Sequence, residues 1–180
     1  KDLLVNPEKV SLPPYYKDTP EARKCMALML SNVQLMDYQV GQIINQLKKD
    51  GVYDNSYIFF FSDHGGTMPW MKREILERGT HIPFIVKYPK GKNAGTVNTD
   101  LISAVDFAPT ILSLADISIP DYMQGKAFLG KQAVKEKRQY VFAGRDRLDE
   151  CYDRVRSVRD KQFRYIFNFM PDRPKYMNVT

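Results

Sequence analysis

Residues 19–61 constrain the fold more than any other part of this chain. Thr19-Pro20-Glu21 reads as a helix start. Threonine suits an N-cap, proline the first helical position, and a carboxylate the positive end of the helix dipole. Apolar residues then recur at Met26, Met29, Val33, Met36, Val40, Ile43 and Leu47, alternating steps of three and four that draw one helical face. Asp50-Gly51 ends the pattern. A helix of about 30 residues is roughly 45 Å long and needs a large partner surface. Ser56-Tyr57-Ile58-Phe59-Phe60-Phe61 follows directly. It is continuously apolar rather than alternating, as in a strand covered on both faces of a parallel sheet. A long helix feeding such a strand predicts an α/β unit.

The flanking segments fit that frame. Residues 1–18 carry Pro7, Pro13 and Pro14 with little periodicity and predict an extended lead-in. Residues 64–80 read as a loop with a helical turn around Lys72–Glu77. Pro83–Tyr88 reads as a second buried strand, stopped by Pro89-Lys90-Gly91. Asp106 is placed to cap a helix over 107–115, with Pro109 in its first turn and Ile111, Leu112 and Leu114 turned inward. After about residue 117 the texture changes to short strands at 139–143, 154–159 and 163–169, the last two joined by Asp160-Lys161-Gln162. The expected organisation is a core portion over 1–116 and a small subdomain with an antiparallel sheet over 117–180.

Composition excludes little. The net charge of +6 would suit a polyanion, but the basic residues are scattered among acids without a Lys/Arg block, which argues against a nucleic-acid partner. No apolar run reaches the roughly 18 residues of a membrane span. Cys25 and Cys151 form no CxxC pair and no zinc spacing, and Cys25 falls in the helical pattern as a packing residue. The chain starts at Lys1 rather than Met, which predicts a processed product or a fragment.

Chemistry concentrates where the first strand ends. Asp63 and His64 sit side by side there, followed by Gly65-Gly66. In open α/β sheets ligands gather at the carboxyl ends of strands. Neighbouring side chains normally diverge, but at a strand-to-loop turn both can converge on one ion. A carboxylate offers hard oxygen and charge, a neutral imidazole offers nitrogen, and two glycines let the backbone bend sharply. The alternatives are a plain Asp–His hydrogen bond or an Asx cap of the loop. Two ligands are also too few for a hard divalent ion, which takes about six.

"IFFFSDHGG", followed by "KREILERGTHIPFIVKYPKG", resembles the C-terminal half of the type I sulfatases, formylglycine-dependent enzymes of the alkaline phosphatase superfamily. "MDYQVG" upstream resembles the family's long helix, and "DLISAVDFAPTILSLADISIPDYMQGKAF" resembles its following segment, where a D-x-x-P-T helix leads to a glycine-marked turn. The resemblance implies an alkaline-phosphatase-like parallel-sheet core, here in its C-terminal portion, closed by a small antiparallel sheet. It implies a divalent metal, calcium by preference, on Asp63 and His64. Asp-Asn is frequent in sulfatases, so His64 is a departure shared with superfamily members that act on phosphoesters. It implies that Lys72 contacts the sulfate and the leaving oxygen, a role that a point-charge ammonium can fill by neutralising a developing oxyanion. The family nucleophile is made from Cys or Ser in C/S-x-P-S/A-x-R, and neither cysteine nor any serine of this chain fits. The nucleophile and the first pair of metal aspartates are therefore expected in a missing N-terminal part. The fragment alone is expected to be inactive, with a raw sheet edge or apolar face unless a missing segment or an oligomer covers it.

Two features point to the substrate. His81, in Gly79-Thr80-His81-Ile82-Pro83, is a pocket candidate as well as a surface or packing candidate. Residues 143–160 set Arg145, Arg147 and Arg154 among Asp146, Asp149, Glu150 and Asp153. Arginine forks suit sulfate and carboxylate groups, and the alternative is an exposed, self-paired charged loop. The segment resembles heparan N-sulfatase and other glycosaminoglycan sulfatases, which implies a sulfated saccharide substrate and a periplasmic, secreted or lysosome-like setting. The expected function is hydrolysis of a sulfate ester or sulfamate. Its rivals are a phosphodiesterase or phosphonate hydrolase of the same superfamily and a non-catalytic polyanion-binding module.

Overall fold

A computed structural model of the chain describes residues 4–148 and 151–173. The chain separates into two compact units, Lys1–Thr96 and Val97–Thr180. The packing boundary thus falls ahead of the change in sequence texture near residue 117.

In the first unit, helix α1 spans Pro20–Lys49, and the Thr19 hydroxyl accepts from the Ala22 N–H at 3.2 Å as an N-cap. The lead-in lies against α1. Val5 N–H donates to Ser31 Oγ at 3.0 Å, and Arg23 donates to Val10 O at 3.1 Å and to both oxygens of Asp18. That fork holds the Asp18 carboxyl below the usual carboxylate range. Met26 and Ala27 meet Val10 and Met68 in the core, with Leu12, Tyr16, Met29 and Met71 around them. The rest of the apolar stripe is less covered: Val33, Met36 and Ile43 stay exposed.

Strand β1 (Ile58–Phe61), the short helix α2 (Glu77–Thr80) and strand β2 (Phe84–Lys87) complete the unit's chief elements. β1 and β2 pair antiparallel, Ile58 opposite Lys87 and Phe61 opposite Phe84. This corrects the parallel neighbour expected from the continuous apolar runs. Neither strand is buried within the chain, Phe61 and Ile85 being exposed, and strand direction is set by the connection, which returns the chain beside β1. Lys87 ties the pair to the end of α1's loop, donating to Tyr53 O and, at 3.1 Å, to Ser56 O. The helical turn expected near Lys72–Glu77 begins only at Glu77, in α2.

In the second unit, α3 covers Phe107–Leu114, and strands β3 (Val141–Leu148), β4 (Cys151–Arg159) and β5 (Arg164–Asn168) form an antiparallel sheet in that order. The buried side of α3 is small and polar: Pro109, Thr110 and Ser113 are enclosed, while Ile111 is exposed, contrary to the sequence expectation. The reason is hydrogen bonding. Thr110 Oγ1 accepts from Phe128 N–H at 3.1 Å and Ser113 Oγ from Gln132 N–H at 2.9 Å, so α3 holds the segment that crosses it. Asp106 also departs from its expected role as the cap of α3. It is 3% exposed and accepts from Ser103 N–H at 3.0 Å, Lys126 N–H at 2.9 Å and two guanidinium nitrogens of Arg138 at 3.0 and 2.5 Å. Burial of a carboxylate is tolerable here because both oxygens are satisfied and a cation faces it. The predicted hairpin at Asp160 is present, its Oδ1 accepting from the Gln162 and Phe163 N–H groups at 2.7 and 2.5 Å.

Candidate active site

β1 delivers Asp63 and His64 to its carboxyl end. The Ser62 hydroxyl donates to His64 O at 2.5 Å, and the His64 N–H donates to Asp63 Oδ1 at 3.0 Å, so the turn is bent by its own side chains. His64 Nδ1 lies 2.7 Å from Gly65 O. A carbonyl only accepts, so Nδ1 carries the proton. In the neutral ring the lone pair is then on Nε2, which lies 3.4 Å from Asp63 Oδ2. That is the tautomer a metal-ligating histidine needs, with its other nitrogen held by a backbone carbonyl. The side chain of Asp63 is 83% exposed and that of His64 33%, so an oxygen and a nitrogen face outward together. Among the described residues no group of three or more His, Cys, Asp or Glu gathers as a metal centre. The dyad fits a metal as part of a shell, in donor type and tautomer.

The glycines explain why the turn sits so close to the end of its own loop. Gly65 N–H donates to Gly79 O at 3.3 Å, and a Cβ on Gly65 would lie 1.9 Å from Arg78 O. A Cβ on Gly79 would lie 1.9 Å from Glu74 O. Both positions exclude any side chain at all. The second glycine was legible only as a letter in "ERGTH", because the approach joins residues far apart in sequence.

Lys72 and His81 are exposed on the same connection. His81 Nδ1 is 3.1 Å from Glu77 Oε1, one helical turn back. In the second unit, Arg145 is not the open fork that the sequence suggested. It is 7% exposed, as is Asp153, and its Nε donates to Asp153 Oδ2 at 2.9 Å with Nη2 on the same oxygen. The bulge between Arg145 and Arg147 turns the second arginine outward, opposite Tyr152. Arg156 bonds Asp146 at 2.7 Å. Asp149 and Glu150, also proposed around the substrate, lie outside the described residues.

A match to the sulfatase family spans residues 11–117, and one to the N-sulphoglucosamine sulphohydrolase C-terminal family spans 65–176. The chain is 43% identical over 95% of its length to an ulvan-active sulfatase of Formosa agariphila, and 28% identical over 91% to the N-sulphoglucosamine sulphohydrolase of Homo sapiens. It superposes on a solved structure described as in complex with its substrate D-glucosamine-2-N,6-O-disulfate, with TM-score 0.67 and 26% identity over 86% of the chain. It spans 28%, 35% and 34% of those three proteins. The likeness in structure supports the expected fold, a portion of an alkaline-phosphatase-like α/β core with a small antiparallel sheet. The chain belongs to the sulfatase family.

Proposed function

We propose that this chain supplies one side of a sulfatase active centre, in a longer protein that hydrolyses the sulfate ester or sulfamate of a sulfated sugar. The carrying observation is the contact of His64 Nδ1 with Gly65 O at 2.7 Å, which sets Nε2 beside Asp63 at the end of β1. Asp63 and His64 would hold a divalent ion, calcium in this reading, with further ligands from outside the chain. Bound there, the ion supplies Lewis-acid polarisation of a sulfate oxygen. Lys72 neutralises charge on the bridging atom as the leaving group departs. His81, steadied by Glu77, and Arg147 are the proposed substrate contacts; Arg145 is a positioning residue that fixes the β3–β4 bulge through Asp153. No formylglycine motif occurs in the chain, so we place the nucleophile in another part of the protein. We read residues 1–116 as core and 117–180 as the subdomain, in keeping with the family match over 11–117. The exposed stripe of Val33, Met36 and Ile43 supports a missing segment or a second copy covering α1. We also read the protein as periplasmic, secreted or lysosome-like. Among the described residues no helix is long and apolar enough to cross a membrane.

The test is Asp63→Ala in the full-length enzyme, assayed with 4-nitrophenyl sulfate and 4-nitrophenyl phosphate side by side after metal removal and restoration. Loss of metal-dependent sulfate hydrolysis is expected. Near-normal sulfate turnover in the variant would sink the assignment, and a preference for the phosphate ester would move it to the phosphoester branch.

A further inference from the structure

Three aromatic residues that no functional role has absorbed meet on the loop that follows the dyad and the lead-in packed against it. Tyr16 stacks on Trp70 with ring centres 6.0 Å apart and planes 15° from parallel. Tyr15 meets the same indole edge-on at 6.4 Å. The Tyr16 hydroxyl donates to Pro69 O at 2.6 Å, and burial pushes its pKa up, so it stays a neutral donor. The guanidinium of Arg78 lies 3.3 Å from the centre of the Tyr15 ring. Arg78 is also the residue whose carbonyl crowds Gly65, one step from His64. A continuous chain of contacts therefore runs from the dyad through Arg78 and Tyr15 to Trp70.

Trp70 is placed oddly for a packing residue. Its φ is +63°, a region that bulky residues rarely occupy. It is held there by Tyr16, yet keeps 49% of its surface exposed. An indole recruited for the core would be enclosed. Tyr16 and Tyr15 both pack on the indole, and about half of its surface is still left over for a ligand. Two positions further on is Lys72, the proposed contact of the leaving oxygen, and the exposed cation Arg73 follows it.

We infer that the exposed surface of Trp70 is a stacking subsite for a pyranose ring of the saccharide. A pyranose has apolar C–H faces and hydroxylated edges, and a flat, electron-rich ring backed rigidly by a second aromatic complements such a face. The cations beside it suit a sulfate or carboxylate carried on the same sugar. This deepens the sulfatase reading and rests on it for the identity of the ligand, but its chemistry is recognition of the ring rather than of the sulfate.

The experiment uses the full-length protein with Trp70→Leu, which keeps an apolar side chain against Tyr16, and Trp70→Phe, which keeps a ring. Thermal unfolding checks that both are folded. The substrates are sulfated disaccharides prepared from ulvan and from heparan sulfate, with methyl sulfate as the substrate that has no ring. The same disaccharides, chemically desulfated, are titrated calorimetrically. For the disaccharide that the wild type takes, Trp70→Leu is expected to raise KM about tenfold with little change in kcat, and to weaken desulfated-sugar binding by a similar factor. Trp70→Phe should retain most of both, and methyl sulfate kinetics should not move. Unchanged KM and unchanged sugar binding in Trp70→Leu would overturn the subsite, as would an equal loss with methyl sulfate. If the wild type hydrolyses no sulfate but its desulfated-sugar binding still depends on Trp70, the subsite stands and the sulfatase reading falls.

Discussion

Asp63 with His64 and Asp153 with Arg145 are both pairings of an acid with a base, set in opposite surroundings. The first pair is at a strand end, the acid largely in water, its groups oriented by backbone: Gly65 O on Nδ1 and the His64 N–H on Asp63. The second pair is inside a sheet, nearly without solvent, each partner occupied by the other. Orientation by backbone leaves Nε2 and a carboxylate oxygen side by side at 3.4 Å near the surface, where the proposed ion would be held. Orientation by mutual charge leaves little over. The difference separates a place where a ligand can bind from a place where the fold is fixed, and residue type alone does not reveal it.

The sharpest way to break the comparison is to remove one acid from each pair. Asp153→Ala leaves a buried guanidinium without its carboxylate, and such a loss costs about 3–5 kcal/mol. Urea unfolding of the full-length protein should show it, and Arg145→Met with Asp153→Leu should recover most of the loss. Asp63→Ala should change stability by less than about 0.5 kcal/mol, as for an exposed site, while removing turnover. A similar stability loss for both would erase the distinction. A smaller effect concerns the cation that follows the dyad. Lys72→Ala should lower kcat by about 10²–10³-fold, the scale of one lost charge-stabilising donor, with an unfolding curve like the wild type's. A fall in stability in step with activity would make Lys72 a structural residue.

The smallest effect lies at the β4–β5 turn, where backbone again orients an acid. Hydrogen bonds from Phe163 and Gln162 hold the Asp160 carboxyl below its ordinary range. The native group thus titrates below its unfolded value of about 3.9, and its support for the turn is complete above that pH. The support fades as pH falls through the lower native value. Amide hydrogen exchange at Gln162 and Phe163 should quicken relative to β4 as pH drops below about 3.9. A pH-independent ratio would show that the turn does not depend on the charge.

What was legible in the sequence was local. Thr19, Pro20 and the spacing of α1's apolar residues specify a helix within its own turns, and the structure gives α1 those ends. The placement of Asp63 and His64 at a strand end was legible because it needs only the strand, its own turn and Gly65. Asp106 was misread because its letter signals a cap, while its partners Lys126 and Arg138 arrive from 20 and 32 residues away. Arg145 was misread because the bulge that separates it from Arg147 has no local signature in a charged stretch. The Tyr16–Trp70 stack was missed for the same reason, Tyr16 being tied next to the indole by a bond to Pro69, 53 residues on. The antiparallel pairing of β1 with β2 was missed because an apolar run carries no direction, which the connection sets.

The contact of Gly65 with Gly79 has a consequence for how such a chain can change over generations. It closes residues 65–79 into a loop whose two ends are anchored to each other. An anchored loop can exchange the letters between its ends without displacing them. The proposed metal dyad sits just outside one anchor, and Trp70, Lys72 and Arg73 sit between the two. If Trp70 is the proposed sugar contact, substitution at positions such as 70 and 73 would change saccharide preference while the dyad keeps its geometry, so that chemistry is inherited and selectivity is free to drift.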